Sequence, residues 1–221
     1  DSVKEIGWGT FAGCSSLTSL EIPNGVTSIG NGAFAQCSSL SSVTIPNSVT
    51  EIGGWVFLGC RSLTSPICVG NHFVFMPPTY KGDYTIPENI TQIQGHAFYG
   101  CSSLTSVTLP DGLTEIGDWA FSGCSSLQKV VIPKGVTTID MGVFYNCSAL
   151  KSVAIPNGVT EISSSAFGGC LALKKLTIPK SVTRVVSDVD EDLGFYGSFQ
   201  ETGLYAKQSN WDKGVMYISN C

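Results

Sequence analysis

The side chains with the widest chemical repertoire in this sequence are nine cysteines, two histidines and a scatter of carboxylates. Thiolates attack electrophiles and hold soft metals. Yet Cys14, Cys37, Cys60, Cys101, Cys124, Cys147 and Cys170 follow one step of 23 residues, broken once by a step of 41. No Cys-x-x-Cys pair exists and His72 and His96 stand alone, so no zinc ligand set is expected. Asp188, Asp190 and Asp192 open like a calcium loop. Gly194 falls one place late for an EF-hand, however, and Phe199 stands where the bidentate glutamate belongs, so a solvated acidic loop is expected. Glu51, Glu115 and Glu161 share one offset and make a row of carboxylates. Glycoside hydrolysis needs two such groups about 5–10 Å apart in a cleft, which a row on a convex surface does not supply. The expectation is a non-enzyme with no catalytic residue, metal or cofactor.

The step of 23 also defines the elements that carry these residues. Phe11, Phe34, Phe57, Phe98, Phe121, Phe144 and Phe167 keep it, as do Leu17, Leu40, Leu63, Leu104, Leu127, Leu150 and Leu173. The unit reads L-x-x-V-x-I-P-x-x-V-T-x-I-x-x-x-A-F-x-x-C-x-x. Its Leu-x-x-Val-x-Ile portion ends in apolar alternation, which suits a short strand. The following proline cannot donate to a ladder and stops that strand. Asn-Gly, Asp-Gly or Lys-Gly often follows as a turn. Val-Thr-x-Ile reads as a second, shorter extended piece. Ala-Phe-x-x-Cys fits one helical or 3₁₀ turn that tucks Phe and Cys inward.

A unit this short cannot bury its own apolar side. Stacking does it, with strands of successive coils pairing in parallel at roughly 4.8 Å. Equivalent residues then form ladders. The seven ladder cysteines are expected to be buried and reduced, because parallel stacking points their side chains alike rather than at one another. Cys68 and Cys221 lie off the ladder, and a rod keeps them apart.

The Leu-x-x-Leu-x-Ile core (Leu17, Leu20, Ile22) resembles the leucine-rich repeat signature. The fuller pattern, with Ile-Pro-x-x-Val-Thr-x-Ile-Gly and Ala-Phe-x-x-Cys-x-Ser-Leu, resembles the BspA-like leucine-rich repeats over roughly residues 3–183. The resemblance implies a right-handed β/α superhelix of about eight coils. It also implies a secreted or surface protein of host-associated microbes, with adhesion to extracellular proteins or glycans, and it brings no catalytic motif.

The step of 41 hides an irregular insert at residues 64–85, expected as a hairpin-like excursion. Its aromatics Phe73, Phe75, Tyr80 and Tyr84 either cover mismatched coils or offer a binding edge. The solenoid is expected to run over 1–187 and a C-terminal capping segment over 188–221. No cap precedes Val3, and no signal peptide opens the chain, so the array is expected to begin mid-repeat.

Net charge is −5, with 12 Lys and Arg against 17 Asp and Glu, which argues against a nucleic-acid partner. No apolar run reaches ~18 residues, so no membrane insertion is expected. Asn89-Ile-Thr91 and Asn146-Cys-Ser148 match the glycan acceptor pattern, which carries no weight if the source is bacterial, as the resemblance implies. Function is therefore sought on the outward side of the first strand: Ser19, Glu21, Ser42, Thr44, Ser106, Thr108, Lys129, Lys151, Ser152, Lys175 and Thr177. Seven of the twelve cations lie between 129 and 184, so this face turns basic toward its C-terminal end. The expected role is a binding module for an extracellular protein or glycan. The alternative is a structural spacer that presents other domains.

Overall fold

The computed structural model describes residues 3–174, 176–186 and 199, and the backbone of 211–212 and 215–216. The chain winds as a β-solenoid of about eight turns. The first coils contribute β1 (Glu5–Ile6), β2 (Ser19–Glu21), β3 (Ser28–Ile29), β4 (Ser42–Thr44) and β5 (Glu51–Ile52). The irregular region supplies β6 (Ile67–Val69), β7 (His72–Phe75) and β8 (Gly82–Thr85). Later coils give β9 (Gln92–Ile93), β10 (Leu104–Thr108), β11 (Glu115–Ile116), β12 (Lys129–Val131), β13 (Thr138–Ile139), β14 (Ser152–Ala154), β15 (Glu161–Ile162) and β16 (Arg184–Val185). Two further strands, β17 (Trp211–Asp212) and β18 (Val215–Met216), pair antiparallel.

Within the coils, pairing is parallel and nearly always one repeat apart. Ser19 faces Ser42 and Glu21 faces Thr44; Lys129 faces Ser152; Ile139 faces Ile162. The repeat's proline closes each first strand, and its carbonyl accepts the amide of the residue three on, as in Val26 to Pro23 and Val136 to Pro133. The threonine of Val-Thr-x-Ile then donates twice to the preceding coil. Thr114 gives both its amide and its hydroxyl to the Thr91 carbonyl, at 2.8 and 3.0 Å. That tie sets Val and Ile three apart rather than two.

The expected helical turn is absent from the described residues, so the β/α expectation is corrected to strands and turns. Around Phe11, the amides of Gly9, Phe11 and Gly13 donate to Asn31, Ala33 and Ala35 of the next coil. The intervening amides of Thr10, Ala12 and Cys14 close turns onto Gly7, Gly9 and Phe11. Half the amides are thus spent between coils, which an α-helix does not allow. Left-handed residues two before and two after each phenylalanine, such as Gly9 and Gly13, enforce this path.

The core is a column of phenylalanines in van der Waals succession. Phe11, Phe34 and Phe57 stack at 5.4 and 5.8 Å between centroids. Phe98, Phe121, Phe144 and Phe167 continue at 4.7 to 5.7 Å, and Phe199 closes on Phe167 at 5.5 Å. The column breaks at the irregular region. There β6 and β7 form an antiparallel hairpin, and β7 pairs in parallel with β9. Phe73 stacks on Phe98 at 4.6 Å while Phe75 meets Phe57 edge-on at 6.2 Å. The apolar interior accordingly falls into two clusters, Ile6 to Phe75 and Phe73 to Phe199, that meet at β7. The expected hairpin is present, and its aromatics Phe73 and Phe75 are core residues, which removes them from any exposed binding edge. Tyr80 and Tyr84 are half-buried against the second cluster.

Candidate functional site

On the first-strand side, alternation places one residue inward and its neighbours outward. Leu20, Val43, Val107, Val130 and Val153 point to the core, and Ser19, Glu21, Ser42, Thr44, Thr108, Lys129 and Ser152 are exposed. Ser106 is half-buried, while Lys151 and Thr177 are exposed. Lys151 Nζ donates to Gln128 Oε1 at 3.2 Å. Lys175 lies outside the described residues. The ladder is not one sheet. β2 and β4 pair alone, and among the described residues no strand joins β4 on its far edge, because Ile67 departs into the hairpin. The second patch starts earlier than the sequence reading placed it. Asp83 and Thr85 on β8 face Ser106 and Thr108, and Asp83 Oδ1 accepts from the Thr105 hydroxyl at 2.6 Å. Tyr84-Thr85-Ile86-Pro87 is the Val-x-Ile-Pro pattern with Tyr for Val, a signal the aromatic substitution conceals.

The second-strand carboxylates do not pair across coils. Glu5 and Glu51 are separated by Ser28, and Glu115 and Glu161 by Thr138. Glu161 is engaged by Arg184, Oε1 to Nη1 at 3.1 Å. Among the described residues, Asp140 has its carboxyl pushed above the usual range, first by burial, with the charges of Asp118, Glu115 and Glu161 adding to this and a hydrogen bond from Thr138 opposing it. Among the described residues no three His, Cys, Asp or Glu side chains form a metal-holding group.

The ladder thiols are donors, not nucleophiles. Cys60, Cys124, Cys147 and Cys170 give their Sγ–H to the carbonyls of Phe34, Phe98, Phe121 and Phe144 in the preceding coil, at 3.0 to 3.2 Å. Burial pushes the Cys60 and Cys170 thiols up to about 12. Their thiolate form, the reactive one, is suppressed at neutral pH. Cys14 and Cys68 are exposed and free.

The turn side carries a group of residues that sequence reasoning missed. Two positions before the ladder phenylalanine, Gly9, Gly32 and Gly142 adopt φ of 60 to 62°, which glycine does freely. Trp55, His96 and Trp119 hold the same left-handed conformation at 62, 62 and 58°. The Trp55 amide donates to the Gly95 carbonyl, so this coil meets the one containing His96 directly, past the insert. Trp55 meets His96 edge-on at 5.1 Å, His96 lies 5.1 Å from Tyr99 and 6.4 Å from Trp119, and Trp119 meets Tyr145 at 5.3 Å. Burial holds His96 down to about 4, opposed in part by the Asp118 carbonyl, and its Nδ1 is buried without a hydrogen-bond partner. Beside this strip, where the hairpin wedges between coils, a cavity of about 500 Å³ opens. Its lining includes Leu58, Arg61, Phe75, Met76, His96 and Tyr99. The readable signal was a column of Gly replaced by Trp, His and Trp in consecutive coils, visible only when the units are aligned.

A family profile described as the BspA type leucine rich repeat region matches residues 1–75 and 71–192 in six copies. No curated protein matches the chain. Among solved structures, a leucine-rich cell surface protein of Faecalibacterium prausnitzii A2-165 aligns over the whole of this chain and 68% of its own, at 29% identity and TM-score 0.66. A leucine-rich repeat protein of Bacteroides ovatus aligns at 33% identity and TM-score 0.58, over 83% of this chain. This chain covers 48% of that protein, about half its length. The pneumococcal vaccine antigen PcpA shares the fold at 20% identity and TM-score 0.64, with 91% of this chain and 64% of its own covered.

Proposed function

The chain belongs to the BspA-type leucine-rich repeat family, and from that membership we propose that it is a non-enzymatic binding module of a secreted or surface bacterial protein. It docks an extracellular protein or glycan on the outward side of its first strands. One observation carries this reading: exposed polar side chains stand in register on neighbouring coils, Ser19 over Ser42, Glu21 over Thr44 and Lys129 over Ser152. Stacked exposed faces of this kind are where solenoids engage partners, here in separate patches on β2–β4, β8–β10 and β12–β14. Lys129 and Lys151 add exposed positive charge to a chain of net charge −5, with Lys175 one repeat step after Ser152 in the sequence, and such charge steers acidic partners in a salt-dependent way.

The test is a binding panel on the immobilised chain, with matrix proteins, mucins and acidic glycans passed at two salt concentrations. A saturable signal that falls with salt, and falls further in a Lys129→Glu, Lys151→Glu, Lys175→Glu variant, is the expected result. A spacer is the competing reading, favoured by the strand side's small polar residues and lack of aromatic anchors. Silence across the panel decides for the spacer, and a saturable signal indifferent to the triple charge reversal removes the lysines from the site and places binding on other residues.

A further inference from the structure

We propose that the cavity beside the hairpin, together with the aromatic strip that leads away from it, binds an acidic oligosaccharide through a carboxylate-bearing sugar. This site goes beyond the strand-side reading and uses different residues.

The cavity's volume of about 500 Å³ lies in the range of small-ligand sites, roughly 300–1,000 Å³. It exists because the repeat is broken: the hairpin's Phe75 and Met76 form one wall, Leu58 and Arg61 of the preceding coil another, and His96 and Tyr99 of the following coil a third. Two walls are therefore apolar or aromatic. Polar groups are few, and one is charged. The Arg61 guanidinium makes no ion pair or side-chain hydrogen bond with any described residue, in a chain with an excess of acids. An unengaged guanidinium presents a planar fork that matches a carboxylate bidentately.

The aromatics specify the rest of the ligand. A sugar ring has an apolar C–H face and a rim of hydroxyls, and its slightly positive C–H groups lie well on the negative face of an aromatic ring. Tyr99 and Trp55 are each 45% exposed, although both lie beside the core column. Trp55 and His96 also keep a left-handed backbone that bulky residues avoid, where three other coils use glycine. Such strain is typically retained where it is used. Beyond the cavity the same strip continues over the next coils through Trp119 and Tyr145. That extension favours a chain of sugars over a single one. A peptide would instead seek a free strand edge or a long groove, which these turns do not offer.

The experiment titrates the full chain with a uronic-acid trisaccharide, a sialylated trisaccharide, and the methyl ester of each, following tryptophan fluorescence and calorimetry. Saturable binding of one acid, with the ester weaker by at least about tenfold, a difference of 1.4 kcal/mol, is the expected result. Which acid binds decides between the two sugar sources. Arg61→Gln should abolish the preference for acid over ester, and Trp55→Gly, which installs the residue other coils carry there, should weaken binding while leaving the melting temperature unchanged or raised. Lys129→Glu with Lys151→Glu should leave this binding intact, which separates it from the strand-side reading. Equal binding of acid and ester, an indifferent Arg61→Gln variant, no binding of either sugar, or preference for an acidic peptide would each overturn the proposal.

Discussion

His96 shows how much one side chain is determined by its offset in the repeat. It occupies a position where glycine suffices, in a left-handed conformation, and burial holds its pKa near 4 against an ordinary 6.5. The sign of its effect on stability follows. Above pH 6.5 the ring is neutral in both folded and unfolded chains and costs nothing. As pH falls from 6.5 to 4 the unfolded chain takes a proton that the folded one resists, so stability is lost over that window. His96→Asn, which keeps a side chain tolerant of the left-handed region, should remove that component. The melting temperatures of wild type and variant should diverge between pH 6.5 and 4, with the variant falling less; parallel curves would show that the ring titrates normally. None of this was legible in the sequence, because an isolated histidine carries no mark of burial. The cysteines were legible: seven at one offset of the repeat, in apolar context, predict a buried ladder, and six of the seven are buried, Cys14 being the exposed member of the first coil.

Each coil is two short strands and a turn side, and the phenylalanine column couples one coil to the next. Phe121 is fully buried between Phe98 and Phe144, whereas Phe11 is 39% exposed. Phe121→Ala should cost about 3–5 kcal/mol in urea unfolding, as for a deeply buried aromatic, and Phe11→Ala far less. Equal losses at the two positions would mean that stacking does not carry the column. The strands could be placed from Leu-x-x-Val-x-Ile and the proline that ends it, since alternation is a local property. The turn side could not. Ala-Phe-x-x-Cys spacing fits a helical turn equally well, and what decides against it is the alternate amides given to the neighbouring coil, a long-range fact. The aromatic strip escaped for a related reason: Trp55, His96 and Trp119 look unrelated along the chain, and only the coil-to-coil step past the insert brings them together.

For the molecule as a whole, the hairpin is the seam between two cores. Val74 and Phe75 belong to the cluster that begins at Ile6, and Phe73 and Met76 to the one that ends at Phe199. Solenoid stability sums over units and their neighbours, so a weak interface divides the cooperative whole. Phe75→Ala should destabilise the first cluster and Phe73→Ala the second. Hydrogen exchange should show protection dropping in residues 5–63 for one variant and 86–173 for the other. A single uniform drop in both would show one cooperative unit. The solenoid itself was legible from the step of 23, and the seam from the step of 41, but not which rings would face which side. The same periodicity has a mechanical consequence. Stretched from its two ends, an array held together by coil-to-coil bonds pays out one unit at a time, each release of 23 residues lengthening the tether by roughly 80 Å. The seam interrupts that rhythm with a single longer release of 41 residues, roughly 140 Å, a signature that marks its position along the force trace.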